Sequence, residues 1–284
     1  MNHTKWISAA ALLALSACAV GPDYEKPNPA LPGQWSEKQS ALDPATSRVT
    51  TKTSPVEQWW KTFRDDELTA LIDRAAASNL DLKLAESRVR EARGFQGIAT
   101  GALLPSVNAG AGYSRNRGSE NVPLPGAGRQ SNFYQAGFDA AWELDVFGGI
   151  RRGVEAAEAD VQAGVEARRD VLVTLLAEVA RNYIEVRGLQ GQIAIARQNL
   201  DAQKKTLELT QARFQAGRAA ELDVVRAQAQ VSTTASLIPV LESQRLQATH
   251  RLGVLLGREP GSLRDELVAA AAIPVPPPEV PVGL

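Results

Sequence analysis

The chain has 284 residues and balances 31 lysines and arginines against 32 aspartates and glutamates, a formal charge of −1 that gives no electrostatic case for nucleic acid. Its one cysteine cannot form an intramolecular disulfide, and its two histidines, His3 and His250, nearly exclude a histidine triad or a histidine metal cluster. Aromatic residues make up 5% of the chain and alanine is abundant, which suits long helices that pack closely, with no catalytic residue, cofactor or metal expected.

Lys5 and the short apolar run Trp6 to Ala17 read as an export signal, too short to span a bilayer. The run ends in Leu15-Ser16-Ala17-Cys18, which resembles the lipobox at which bacterial lipoproteins are cut. Residues 1–17 are then a signal peptide and Cys18 the lipidated first residue of the mature chain, the plainer reading being an ordinary free cysteine. By the same resemblance Ala19, where retained lipoproteins often carry aspartate, favours sorting to the outer membrane and its lipids. Each buried CH₂ of a lipid chain contributes ~0.8 kcal/mol, so several chains make a stable anchor. Residues 18–60 are rich in Pro, Ser, Thr and Gly and read as an extended segment or linker.

Asp65-Asp66-Glu67 opens a helix, since carboxylates favour the first turn, although three adjacent acids also suit a metal or acid-base chemistry. Helical spacing of Leu68, Leu71, Ile72, Ala75, Leu82, Ala85, Val89 and Ala92 continues to Gly101, with an interruption around Ser78-Asn79 and a stop before Pro105. The period then changes to two over strands at about 105–117 and 132–145. Val107, Ala109, Ala111 and Tyr113 share one face of the first; Tyr134, Ala136, Phe138, Ala140, Trp142 and Leu144 share one face of the second. Either run is long enough for a tilted membrane strand of ~9 to 11 residues, with the Gly118–Ser131 loop outside. A sheet packed on a soluble core fits the alternation equally well, but two strands cannot close a barrel, so a membrane reading demands partners.

From about 150 to 214 there is no proline, and Val165, Leu172, Val179, Val186, Ile193, Leu200, Leu207 and Phe214 recur every seven residues. That ladder predicts a helix of ~100 Å supercoiled against a partner, with Asn182, Gln203 and Thr210 diluting the companion seam. Gly217 marks a reversal into a return helix at about 219–256, which Pro239 is expected to kink or break. Residues 261–284 read as a proline-rich linker.

Several stretches carry a resemblance to one family. They are Cys18-Ala19-Val20-Gly21-Pro22-Asp23-Tyr24, Trp59-Trp60-Lys61 to Leu71, Trp142-Glu143-Leu144-Asp145-Val146-Phe147-Gly148-Gly149, Arg213-Phe214-Gln215-Ala216-Gly217 with Leu222-Asp223-Val224, and Leu252 to Pro260. Together they resemble the TolC/NodT-type outer membrane efflux lipoproteins, the outer membrane factors of tripartite RND-type efflux systems. The implied fold is mainly α with a membrane β-hairpin, in which 61–260 forms a long antiparallel coiled-coil hairpin plus two strands given to an oligomeric barrel. The implied function is passive, non-enzymatic export of drugs or other small toxic compounds by a homotrimer joined to a periplasmic membrane-fusion adaptor and an inner membrane pump. On that resemblance Cys18 anchors the chain, Gly217, Leu222 and Asp223 form an adaptor-facing tip, and Asp139, Glu143 and Asp145 face the lumen. Gly217 as a plain helix cap and Asp223 as a first-turn carboxylate are equally open. Family chains carry two such repeats where this sequence has one, so a truncated product or a fragment is expected. A lipid-anchored coiled-coil tether is the rival reading.

Overall fold

A computed structural model describes residues 21, 22, 24, 25, 27, 48–50, 58–123, 125, 127–275 and 279–281. Cys18 and the signal segment lie outside the described residues, as does most of the expected extended segment. The chain divides into two compact units, Met1–Pro27 with Ser87–Glu166 and Asn28–Glu86 with Ala167–Leu284.

In the second unit the 3-10 turn Trp59–Phe63 leads into helix α1 (Asp66–Ser78), followed after a single residue by α2 (Leu80–Gly101), whose end belongs to the first unit. Asp65 caps α1, its Oδ1 accepting the Leu68 N–H at 2.8 Å, while Asp66 and Glu67 occupy the first turn. The same Asp65 carboxylate accepts the Tyr183 hydroxyl at 2.9–3.0 Å. The acidic triplet is therefore a helix start tied to a neighbouring helix, with its first member fully engaged. The interruption expected at Ser78-Asn79 is present, and Asn79 starts α2 by accepting the Leu82 N–H on Oδ1 at 2.9 Å.

Helix α3 (Gly149–Gln215) is continuous over 67 residues, and α4 (Glu221–Leu255) over 35. The ion pairs Glu178–Arg251 at 3.8 Å and Arg197–Glu242 at 2.6 Å match rising numbers on α3 to falling numbers on α4, which makes the two helices antiparallel. Pro239 sits inside α4 without ending it, so of the kink or break expected there the break does not occur. A proline removes one backbone donor, and the hydrogen bonds of the neighbouring turns carry the helix past it. Val179, Val186, Ile193 and Leu207 of the seven-residue ladder are buried, while Val165, Leu172 and Leu200 are half-buried and Phe214 is exposed. The ladder is thus covered most fully at its middle, where Leu68, Leu71, Ile72 and Ala75 of α1 and Leu252 of α4 complete the core. Each such side chain contributes ~1.5 to 3 kcal/mol on full burial.

The segment after α4 differs from the linker expected over 261–284. Leu263 and Leu267 are fully buried in the core, and the Gln190 amide donates to the Leu267 carbonyl at 2.8 Å while Arg187 Nη1 donates to that of Ala269 at 2.8 Å. Two buried leucines four residues apart act as an apolar anchor that the local proline and glycine content masks. Further on, β4 (Glu279–Pro281) pairs in parallel with β1 (Arg48–Thr50), Arg48 standing opposite Glu279.

Ser78 and Asn79 also close the far end of α4. Ser78 Oγ donates to the Leu256 carbonyl at 2.6 Å and Asn79 Nδ2 to that of Leu255 at 2.9 Å, satisfying acceptors that a helix end leaves free. Gly257 turns the chain there with φ +64°, its N–H bonding the Val254 carbonyl and that of Arg258 the Gly253 carbonyl at 2.9 Å each. A Cβ on Gly257 would stand 2.6 Å from the Ser78 carbonyl oxygen. Gly217 has a similar φ of +68° but open space around it. Gly257→Ala is therefore expected to destabilise the chain well beyond the ~1 to 2 kcal/mol that left-handed backbone alone costs, and Gly217→Ala by no more than that, as read by urea unfolding of both variants.

Arg74 of α1 grips Glu266 with both terminal nitrogens, Nη1 to Oε2 at 3.1 Å, and stands 3.9 Å from Glu67. This grip, against the opposing effect of burial, holds the Glu266 carboxyl below its ordinary range. Burial, with the adjacent Glu266 carboxylate, pushes Glu67 up, and Glu67 Oε1 is buried without a donor. A raised carboxyl favours the fold below its unfolded pKa and loses that contribution as pH rises through the folded value. Glu67→Gln is accordingly expected to raise the unfolding midpoint at about pH 7.5 and to change it little at about pH 4.5, as measured by denaturant titration at both.

Candidate functional site

In the first unit α2 gives way to a two-stranded antiparallel hairpin, β2 (Ser106–Arg117) and β3 (Gln130–Ala141). Its register sets Val107 opposite Ala140, Ala109 opposite Phe138, Ala111 opposite Ala136 and Tyr113 opposite Tyr134, which makes one face apolar. The other face pairs Asn108 with Asp139, Gly110 with Gly137, Gly112 with Gln135 and Ser114 with Phe133. The two apolar runs expected from the sequence thus belong to one surface. Tyr113 and Tyr134 bring their ring centroids to 4.9 Å at its loop end, and the Tyr113 hydroxyl donates to Asn132 Oδ1 at 3.1 Å.

Every residue of both strands is exposed, on both faces. Among the described residues the hairpin forms the whole of its sheet, so each strand also leaves one edge unpaired. Among the described residues nothing covers the apolar face with Val107, Tyr134 and Phe138, and exposed apolar surface of this kind marks interaction sites. No helix among the described residues is long and apolar enough to cross a membrane.

Asp139 sits in β3 on the polar face, as the sequence suggested. Glu143 and Asp145 do not extend the strand, which stops at Ala141 rather than at about 145. The cause lies in the next residues. Trp142 Nε1 donates to the Leu103 carbonyl at 3.1 Å, tying the strand exit to the end of α2. Asp145 Oδ2 accepts the Arg151 N–H at 2.9 Å, and Gly148 at φ +80° turns the chain into α3. Burial acts upward on the Asp145 carboxyl, but the Arg151 and Ile150 amides and the Arg151 guanidinium outweigh it and hold it below the ordinary carboxylate range. Asp145 is the start signal of the long helix and not a strand residue, while Glu143 is exposed between the two elements. Close by, Tyr24 N–H donates to Glu155 Oε1 at 3.0 Å and Arg152 Nη2 to the Gly21 carbonyl at 2.8 Å, which fastens the segment just after Cys18 to the first turns of α3.

The other candidate region is the turn between α3 and α4. The Gly217 N–H bonds the Phe214 carbonyl at 2.9 Å and the Arg218 N–H that of Arg213 at 2.8 Å, a closed C-terminal cap with Gly217 in the left-handed position. Asp223 Oδ2 accepts the Ala220 N–H at 3.2 Å, but Ala220 returns no side-chain bond, so α4 starts on half of a capping box. Gly217 and Asp223 are therefore a helix cap and a first-turn acceptor, and Leu222 beside them is exposed. The alternation of the first strand continues past Tyr113 to Arg115 and Arg117, which the register sets on the apolar side opposite Asn132 and Gln130.

Comparison with known proteins accounts for this arrangement. Residues 71–258 match the family described as outer membrane efflux protein. The chain is 30% identical over 284 residues to nodulation protein T of Rhizobium leguminosarum bv. trifolii, aligning over 100% of this chain and 58% of that protein. It is 33% identical over 262 residues to the pyoverdine export outer membrane protein OpmQ of Pseudomonas aeruginosa, covering 90% of this chain and 53% of that one. Among solved structures it superposes on the outer-membrane channel OprN with a TM-score of 0.76 at 32% identity, over 94% of this chain and 58% of that chain. On CusC the values are 0.68 and 26%, over 84% and 51%. The chain therefore spans a little over half the length of these relatives. With both helices of the long hairpin, the exposed β-hairpin and the Ser78-Asn79 joint inside the matched segment, the chain belongs to the outer membrane efflux protein family, a family of outer membrane channels and not of enzymes.

Proposed function

We propose that the chain supplies one repeat of an outer membrane efflux conduit, in which β2 and β3 join strands of other copies or repeats in a shared barrel and α3 and α4 line a periplasmic tunnel. The observation that carries the reading is the hairpin with one apolar and one polar face, both exposed, and both outer edges unpaired among the described residues. A barrel answers all of these at once: lipid covers the apolar face, water fills the lumen against the polar face, and neighbouring strands take the edges. In that arrangement Asp139 faces the lumen, where charge costs least. Glu143 and Asp145 lie at the lumen's periplasmic mouth at most, since neither is in the strand.

Trimeric assembly, lipid attachment at Cys18 and coupling to an adaptor and an inner membrane RND-type pump complete the proposal. The tip with Gly217, Leu222 and Asp223 is the surface offered to the adaptor, and the exposed Leu222 is its apolar contact. Transport is passive through the conduit, the driving energy coming from the pump, and the cargo is a small toxic compound such as a drug. Efflux relatives named for pyoverdine and toluene export support a small-molecule cargo.

The test is planar-bilayer recording with the native complex extracted from outer membranes of the source cell. Stepwise openings are expected, and Asp139→Arg is expected to lower cation preference without abolishing them. A folded, membrane-attached complex that never conducts would favour the tether.

A further inference from the structure

Resting on the membrane reading of the hairpin, we propose that Arg115 and Arg117 form a binding strip for phosphate-bearing lipid headgroups in the leaflet nearest the Gly118–Arg129 loop. The register carries the argument. On the apolar face the pairs run Val107–Ala140, Ala109–Phe138, Ala111–Ala136 and Tyr113–Tyr134, then change at once to Arg115–Asn132 and Arg117–Gln130. The opposite face at the same level bears Ser114, Asn116, Phe133 and Ser131, with no charge. The two guanidinium-bearing positions lie about 7 and 13 Å beyond Tyr113 along the strand, past an aromatic pair of the kind that sits at a membrane interface.

The side chains are set for an external partner. Arg115 Nη2 donates to Gln130 Oε1 at 2.6 Å, which orients the guanidinium across the ladder and leaves further donors of its planar fork available. Arg117 shares its charge with Glu120, both side chains being more than half exposed, so it contributes less than Arg115. Tyr113 is engaged with Asn132, so the level between the aromatic rings and the arginines is already polar. A free inorganic anion is the weaker occupant, since the strip lies open on a flat sheet and encloses nothing. A lipid surface supplies phosphates in a plane at fixed height above an apolar layer, which is the order in which this face presents arginine and apolar side chains.

The experiment is partition of the full-length chain from detergent into phosphatidylcholine vesicles with and without a fifth of phosphatidic acid. Depth is reported by an added Phe138→Trp and its quenching by brominated acyl chains. Partition is expected to be about tenfold stronger with phosphatidic acid and to weaken at high salt. Arg115→Gln with Arg117→Gln is expected to bring the two vesicle types within about twofold, while Arg129→Gln, in the loop outside the strands, keeps most of the difference. Equal loss in both variants, or loss of the difference on adding inorganic phosphate at matched ionic strength, would overturn the strip. Quenching at Phe138→Trp without any headgroup dependence would sink this proposal alone; absence of quenching in either vesicle would sink the membrane reading beneath it.

Discussion

The exchange of hydrogen bonds at Ser78 and Asn79 is the constraint from which the helical architecture follows. A helix must stop there so that Asn79 can cap α2 with its side-chain oxygen, and the same amide's nitrogen takes the Leu255 carbonyl at the end of α4. Ser78 takes the next carbonyl, and Gly257 passes against the Ser78 backbone at a distance no side chain tolerates. Two helix ends and one helix start thus share a single set of polar groups, at a point where Asn79 is 4% exposed. Buried polar groups arranged this way are expensive if any member is missing, so they set the positions of α1 and α4 around the middle of α3 more narrowly than apolar packing does alone.

The rest of the second unit builds on that joint. Tyr183 reaches Asp65 at the head of α1, Arg74 reaches Glu266, and Arg187 and Gln190 hold the carbonyls of Leu267 and Ala269. Each link runs from a helix to a segment remote in sequence, and each ends on a cap or a turn. The apolar core supplies the larger share of the stabilisation, while these links choose among packings of similar apolar area. Among the described residues the β-hairpin of the first unit has its polar contacts within the ladder, at the loop pair Arg117–Glu120 and at the Trp142 and Asp145 exits, and both its faces are exposed.

Much of this was legible in the chain because period and punctuation were clear. The seven-residue ladder located α3, the change to alternation located both strands, and Gly217 located the reversal, since each rests on local geometry. The interruption at Ser78-Asn79 was visible, but its use was not: its partners Leu255 and Leu256 lie 176 and 178 residues away. Leu263 and Leu267 were hidden for a similar reason, two leucines in a stretch whose prolines and glycines signal loop. Asp145 was misplaced because the alternation runs on past Ala141 in the sequence while the chain has already left the ladder to start α3. Arg115 and Arg117 were passed over because charges ended the apolar count, although their parity never changed.

In the proposed barrel, the hairpin edges left unpaired among the described residues tie folding to assembly by mass action. A two-stranded ribbon is marginal on its own, so much of the free energy that orders β2 and β3 comes from contacts made only when other strands and lipid arrive. Hairpin order then depends on how many copies are present and on whether a bilayer is at hand, whereas the core around Leu68, Val179 and Leu252 is buried within this chain alone. In that proposal the chain has two stages, a helical body with its own buried core and a membrane end that stays adhesive until it is joined. Delivery to the membrane is therefore a race between productive joining and aggregation of the same exposed edges.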